Sequence, residues 1–263
     1  PAQYGFGIEH LLIGKDFNPE MGFVRRSDYR NTIATAKYSP RLKKSKTIRQ
    51  LTFQGSLEYV QNSAATRLMN RDQQADFAVE WHNSDKLTVS LLDQYEFLPA
   101  NFRIATGVTV PQGSYNYRSV VGSYALGQQR VVSGTLSASR GSFYNGTRTT
   151  AGYSGRQSFS SRFIMEPGIT VNRVDLPYGA FSANLLNTRI VVTPTPRMQA
   201  ASLLQFNPST HTMTASARFR WEYIPGSELF VVYTDGRNTS PAPSVPGLLN
   251  RSIAVKVTRL LRF

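Results

Sequence analysis

The sequence predicts an all-β protein, an antiparallel transmembrane β-barrel of about 14 strands, and three observations carry that prediction. Apolar and polar residues alternate with a period of two along most of the chain, the signature of strands with one apolar and one polar face. The polar parity is heavily charged, which a dry core would not tolerate. The last stretch, Asn250–Phe263, places Ile253, Val255, Val257, Leu261 and Phe263 on one parity and Ser252, Ala254, Lys256, Thr258 and Arg262 on the other. A soluble protein rarely ends on a bare aromatic in mid-strand, because termini fray and are polar. Bacterial outer-membrane barrels commonly end on alternating apolar residues and a terminal Phe. Val257, Leu261 and Phe263 are therefore read as a candidate signal for the barrel-assembly machinery, with Arg259 the one departure on that parity.

Length and composition agree with this class. The 263 residues suit a single outer-membrane barrel domain, since large β domains routinely run past the usual domain length. No stretch is long and apolar enough for a transmembrane helix. Cysteine is absent, which removes disulfides and thiolate metal sites. The N-terminal PAQYGFGIEH lacks a charged start followed by an apolar core, so no export signal is visible and the expectation is a C-terminal piece of a longer protein. The net charge of +14 is spread singly along strands, apart from RLKKSK at Arg41–Lys46. Nucleic-acid binding would call for a basic stripe with interleaved aromatics or a recognisable module, and neither is present. RLKKSK is read as a solvated turn or a contact with lipid phosphates.

Taken in order, Tyr4, Phe6, Ile8 and Leu12 mark a first strand, and Gly14–Arg26 breaks the pattern as a structured loop. Tyr29–Tyr38 is a weaker strand closed by Ser39-Pro40. Leu51, Phe53, Gly55, Leu57 and Tyr59 face opposite Gln50, Thr52, Gln54, Ser56 and Glu58. Gln61–Ala65 turns the chain into Ala75, Phe77, Val79 and Trp81, opposed by Gln74, Asp76, Ala78 and Glu80. His82–Asp85 consists of turn formers. Leu87, Val89, Leu91 and Tyr95 then oppose Thr88, Ser90, Gln94 and Glu96.

A longer loop is expected at Phe97–Gly113. Strands follow at Val120–Leu126, Val131–Arg140, Thr149–Gln157, around Phe163–Asn172, at Phe181–Val192 and at Met198–Phe206. Met213, Ala215, Ala217, Phe219, Trp221 and Tyr223 alternate with Thr214, Ser216, Arg218, Arg220 and Glu222. Pro225-Gly226 turns into Leu229–Thr234, and Asp235–Leu249 reads as a polar, Pro-rich loop before the final strand. Turns alternate between short and long, as an antiparallel membrane barrel requires, and aromatics gather near strand ends, where bilayer interfaces favour them. Burying Glu58, Asp76, Glu80, Glu166, Arg218, Arg220 and Glu222 in a dry sandwich would cost several kcal/mol per ion unless each were well paired. These seven are the candidate lumen-lining residues.

No catalytic, cofactor-binding or metal site is predicted. His10, His82 and His211 lie far apart, and His82-Asn83-Ser84 are adjacent turn residues, unsuited to a relay. Asp16, Asn18 and Glu20 lack the glycine and terminal glutamate of a calcium loop.

Several strings together resemble a known family: DFNPEMGFVRRSDYR, SYALGQQRVVSGTLS, RGSFYNGTRTTAGYSGR, FRWEYIPGSELFVVYTDGR and the terminal NRSIAVKVTRLLRF. They resemble the C-terminal region of the bacterial domain of unknown function 5916, spanning essentially the whole chain. The resemblance implies an outer-membrane-associated β-barrel region with no settled activity. It also implies a preceding carbohydrate-binding family 9-like sandwich and further barrel strands that this chain lacks. It supplies no catalytic residues.

The leading expectation is a pore, transporter or surface anchor of the outer membrane. Its expected partners are outer-membrane lipid, lipopolysaccharide and the barrel-assembly machinery, with saccharide reaching it through the missing domain. The alternatives are a soluble or periplasmic sheet that binds saccharide through its aromatics, and a barrel-borne lipid or glycan hydrolase.

Overall fold

The computed structural model describes residues 3–23, 27–240 and 247–261. Its strands are β1 (Tyr4–Ile13), β2 (Tyr29–Tyr38), β3 (Ile48–Asn62), β4 (Leu68–Trp81), β5 (Lys86–Leu98), β6 (Phe102–Ala105), β7 (Val108–Val110), β8 (Gly113–Leu126) and β9 (Val132–Phe143). They continue with β10 (Gly146–Ser160), β11 (Phe163–Leu176), β12 (Gly179–Ser182), β13 (Leu185–Thr195), β14 (Met198–Asn207), β15 (Thr212–Ile224), β16 (Ser227–Asn238) and β17 (Leu248–Thr258). Fourteen of these form one antiparallel path in chain order, β1-β2-β3-β4-β5-β8-β9-β10-β11-β13-β14-β15-β16-β17. Off the path, β12 pairs β11 to make a 15-stranded sheet, and β6 pairs only β7.

The expected all-β meander is present, but the expected closure is not. Among the described residues β1 pairs only β2 and β17 pairs only β16, so the sheet is open, with a row of free backbone donors and acceptors along each edge strand. Three local expectations also change. Phe97–Gly113 is a hairpin, β6–β7, with packed side chains. Phe181–Val192 is two strands, broken where Asn172 Nδ2 donates to the Ala183 carbonyl at 2.9 Å and the Asn184 side chain accepts from the Asn172 amide at 3.2 Å. Asp235–Asn238, expected in a loop, completes β16. Phe263, expected to form part of an assembly signal, lies outside the described residues.

Tight approaches explain two glycines. Gly134 has φ 143°, and a Cβ there would sit 2.5 Å from the Ser154 carbonyl oxygen. Gly226, with φ 79°, makes the turn between β15 and β16.

The chain divides into two compact units. One comprises residues 1–124, 137–150 and 173–181, the other 125–136, 151–172 and 182–263. In the first unit the register aligns like with like across strands. Tyr4, Tyr38, Phe53 and Phe77 share one row of the apolar face, and their rings pack in succession with centroids 5.0, 6.3 and 5.1 Å apart. The next row holds Phe6, Ala36, Gly55, Ala75 and Leu91. Further rows end at Tyr59, Arg71 and Tyr95. From Trp81 to Arg71 this band runs about 33 Å along the strand, or roughly 25 Å at the tilt usual in membrane barrels.

The second unit repeats the arrangement. Phe219, Val231 and Val255 align across β15, β16 and β17, as do Ala217, Tyr233 and Ile253.

These apolar faces are not buried against anything described. Phe6 is 79% exposed, Leu91 55% and Ile253 69%. The main buried apolar cluster lies elsewhere in the first unit, around Val108, Val110, Tyr115, Tyr117, Tyr144, Val174 and Leu176.

Candidate functional site

The polar parity of the first unit builds a hydrogen-bonded, acidic surface. Glu58 lies opposite Asp72, Asp76 opposite Gln54, and Glu80 opposite Gln50. Asn31 Nδ2 donates to Glu58 at 2.7 Å, Gln94 Nε2 to Asp72 at 2.6 Å, and Gln74 Nε2 to both oxygens of Asp76 at 2.8 and 3.0 Å. Arg49 pairs with Glu80 at 2.9 Å. Half-buried amides thus hold carboxylates in place without neutralising them, so the face keeps a negative field.

Onto this same face folds the β6–β7 hairpin. Tyr117 and Glu96 share the polar parity, and Glu96 Oε2 accepts from the hydroxyls of Tyr117 at 2.8 Å and Tyr144 at 2.9 Å. Tyr115 donates to the Pro111 carbonyl at 2.6 Å, anchoring the hairpin's return. Tyr144 packs edge-on against both tyrosines, with centroids 5.1 and 5.2 Å apart. Its phenol is pushed up to about 12, chiefly by burial, so it stays a protonated donor to Glu96. Val110, fully enclosed, fastens the hairpin to this tyrosine cluster.

In the second unit the polar parity carries charges of both signs. Glu166 pairs with Arg189 at 2.9 Å, and Arg220 pairs with Glu228, which lies two ladder positions from Phe230, the residue opposite Arg220. Arg218 lies between Ala201 and Val232 on this face. Glu222 is drawn to the rim, where it accepts from the Gly226 amide at 3.0 Å and shapes the β15–β16 turn. The seven predicted residues therefore do not form one cluster. Glu58, Asp76 and Glu80 share one unit's face, while Glu166, Arg218, Arg220 and Glu222 belong to the other.

Sequence reasoning missed Asp72, although it has the parity of Asp76. It named Glu96 only as a polar-face residue, without the two tyrosines that bond it. It also missed two charge clusters on the apolar parity. Asp93 is held by Arg71 and Arg118, each at 2.8 Å. Asp235, only 8% exposed at its side chain, is held by Arg237 at 2.6 Å and Arg251 at 2.8 Å. Each sits toward the end of the apolar band, near the longer connections of its own strands.

His82 bonds the Ser45 carbonyl at 3.0 Å and His10 the Thr32 hydroxyl at 2.8 Å, so each ring is tied to its own neighbourhood.

No family model and no curated protein matches the chain. Among solved structures it is similar to a mutant of the Rh. blastica porin, at 9% identity over 97% of this chain and 96% of that one, with a TM-score of 0.30.

Proposed function

We propose that the chain is an outer-membrane β-barrel region that lines an aqueous path, its apolar parity turned to lipid and its polar parity to the lumen. The observation that carries this reading is the exposed apolar band. Large apolar side chains stand free on one parity of strand after strand, while the main buried cluster packs on the opposite, polar side. In water such a surface would far exceed the few hundred Å² that soluble monomers tolerate. In a bilayer it is the surface required, and the ionised side chains stay wet. The open edges fit a sheet completed by further strands, which the resemblance to the family of unknown function 5916 also implies. The β6–β7 hairpin then projects into the lumen and narrows it.

Charge on the polar faces would set ion preference. Replacing Arg218 and Arg220 together by Glu removes two positive charges and adds two negative ones. The expected result in a planar bilayer is a severalfold shift of the permeability ratio toward cations. Unchanged selectivity in a conducting double variant would place these residues outside the path.

A further inference from the structure

We propose that the apolar face of the first unit carries a discrete seat for one phosphorylated, acylated lipid, a proposal that rests on reading this face as lipid-facing. A groove of about 720 Å³ crosses that face, within the range of small-molecule sites. Its floor is made by Ala34, Ala36, Gly55 and Ala75, whose small side chains leave a trough between the walls of Phe6 and Leu91. A second hollow sharing Phe6, Ala36, Gly55, Ala75 and Leu91 carries the trough on toward the Tyr4–Tyr38–Phe53–Phe77 row. The surface is thus a long apolar channel rather than a flat band.

One end of the groove differs in kind. Arg118 and Arg140 line it together with Asp93, and Arg71 stands behind Asp93. Asp93 can neutralise only one of three guanidiniums, so this end carries a net positive charge. Arg118 is 85% exposed at its side chain while bonded to Asp93 through Nε, which leaves its terminal nitrogens turned to the outside. Guanidinium groups with free N–H donors bind phosphate oxygens in forked geometry.

The two halves select the occupant. A free phosphate gains nothing from the apolar trough. A wholly apolar partner would leave the arginines desolvated and unpaired, and the same face of a second copy would bring a second net positive cluster rather than an anion. An anionic headgroup joined to acyl chains satisfies both, with chains in the trough and phosphate on Arg118 and Arg140.

The test is native mass spectrometry of the whole chain refolded in detergent, offered equimolar dioleoyl phosphatidylglycerol and dioleoyl phosphatidylcholine. The proposal expects one tightly retained phosphatidylglycerol, at least tenfold preferred, with inorganic phosphate unable to displace it. Arg118→Ala with Arg140→Ala should abolish the preference, the paired lysine replacements should largely keep it, and Ala75→Phe should block retention by filling the trough. Equal retention of both lipids, an arginine-independent preference, or displacement by inorganic phosphate would each overturn the proposal. The lipid competition on the unaltered chain needs no variant and stands even if a variant misfolds. Gel mobility of unboiled samples separates the two readings. A heat-sensitive compact band without selective lipid leaves the barrel reading intact and ends the lipid seat, whereas a chain that never enters detergent or bilayers ends both.

Discussion

Val110→Asp is expected to free the β6–β7 hairpin and raise single-channel conductance, while the long sheet persists. Val110 is fully enclosed among Tyr115, Tyr144 and Val174. The cluster packed around it is apolar and aromatic, and a buried charge left without a partner costs about 3–5 kcal/mol. The hairpin is the cheapest element to lose, because β6 and β7 pair only with each other and contribute no rung to the main ladder. The carboxylate therefore reaches water by releasing the hairpin rather than by unfolding the sheet. Arg103 is already exposed but is held in β6 by its pairing with β7. Release should let the loosened segment enter the trypsin site, speed cleavage after Arg103 and widen the path, raising conductance on the order of twofold or more. Thr109→Asp is the matched control, since Thr109 is the exposed middle residue of β7 and its change should leave both readings alone. Trypsin cleavage without a conductance change would mean that the polar face does not line the path.

The second large effect is a contrast between neighbours on β5. Leu91 lies on the apolar parity, between the Trp81 and Arg71 ends of the band, and Ser90 lies on the polar parity opposite Asp76. If the apolar parity meets lipid, Leu91→Arg places a guanidinium inside the hydrocarbon band, on the Arg71 side of its centre, and costs about 2 kcal/mol. Ser90→Arg faces Asp76 in a wet lumen and should stay within about 0.5 kcal/mol. A soluble sheet predicts something different, because Leu91 is already more than half exposed and an arginine there would be nearly neutral. Urea unfolding of chains folded into lipid vesicles measures both. Equal, small effects would contradict the membrane reading.

How much of this was legible in the residues depends on the range of the interaction that fixes each feature. Strand Tyr29–Tyr38 and the Gln50–Tyr59 part of β3 were readable because a half-exposed ladder imposes a period of two over ten residues, whereas Gln61 and Asn62, expected in a turn, extend β3. The hairpin in Phe97–Gly113 was not, since strands of four and three residues are too short to show a period. Its packing partners, Tyr144, Val174 and Leu176, come from distant parts of the chain. The break before Leu185 is set by the side-chain hydrogen bonds of Asn172 and Asn184, which hydrophobic patterning does not report. Asp235 looked like loop material because Asp and Gly punctuate turns. Within the sheet it is kept on the apolar parity by two arginines, one of them supplied by β17. The polar parity of Glu58, Asp76 and Glu80 was legible, but the cross-strand partners Asn31 of Glu58 and Arg49 of Glu80 depended on a register that only pairing reveals.

The central claim is that alternate residues of one strand meet lipid and water, and the absence of cysteine allows it to be read residue by residue. Single cysteines placed in turn at 87 to 92 on β5 would carry an environment-sensitive fluorophore, with the chain folded into vesicles. The account predicts that labels at 87, 89 and 91 are quenched by a lipid-borne quencher and shielded from an aqueous one, with the reverse at 88, 90 and 92. Aqueous quenching on both parities would contradict it.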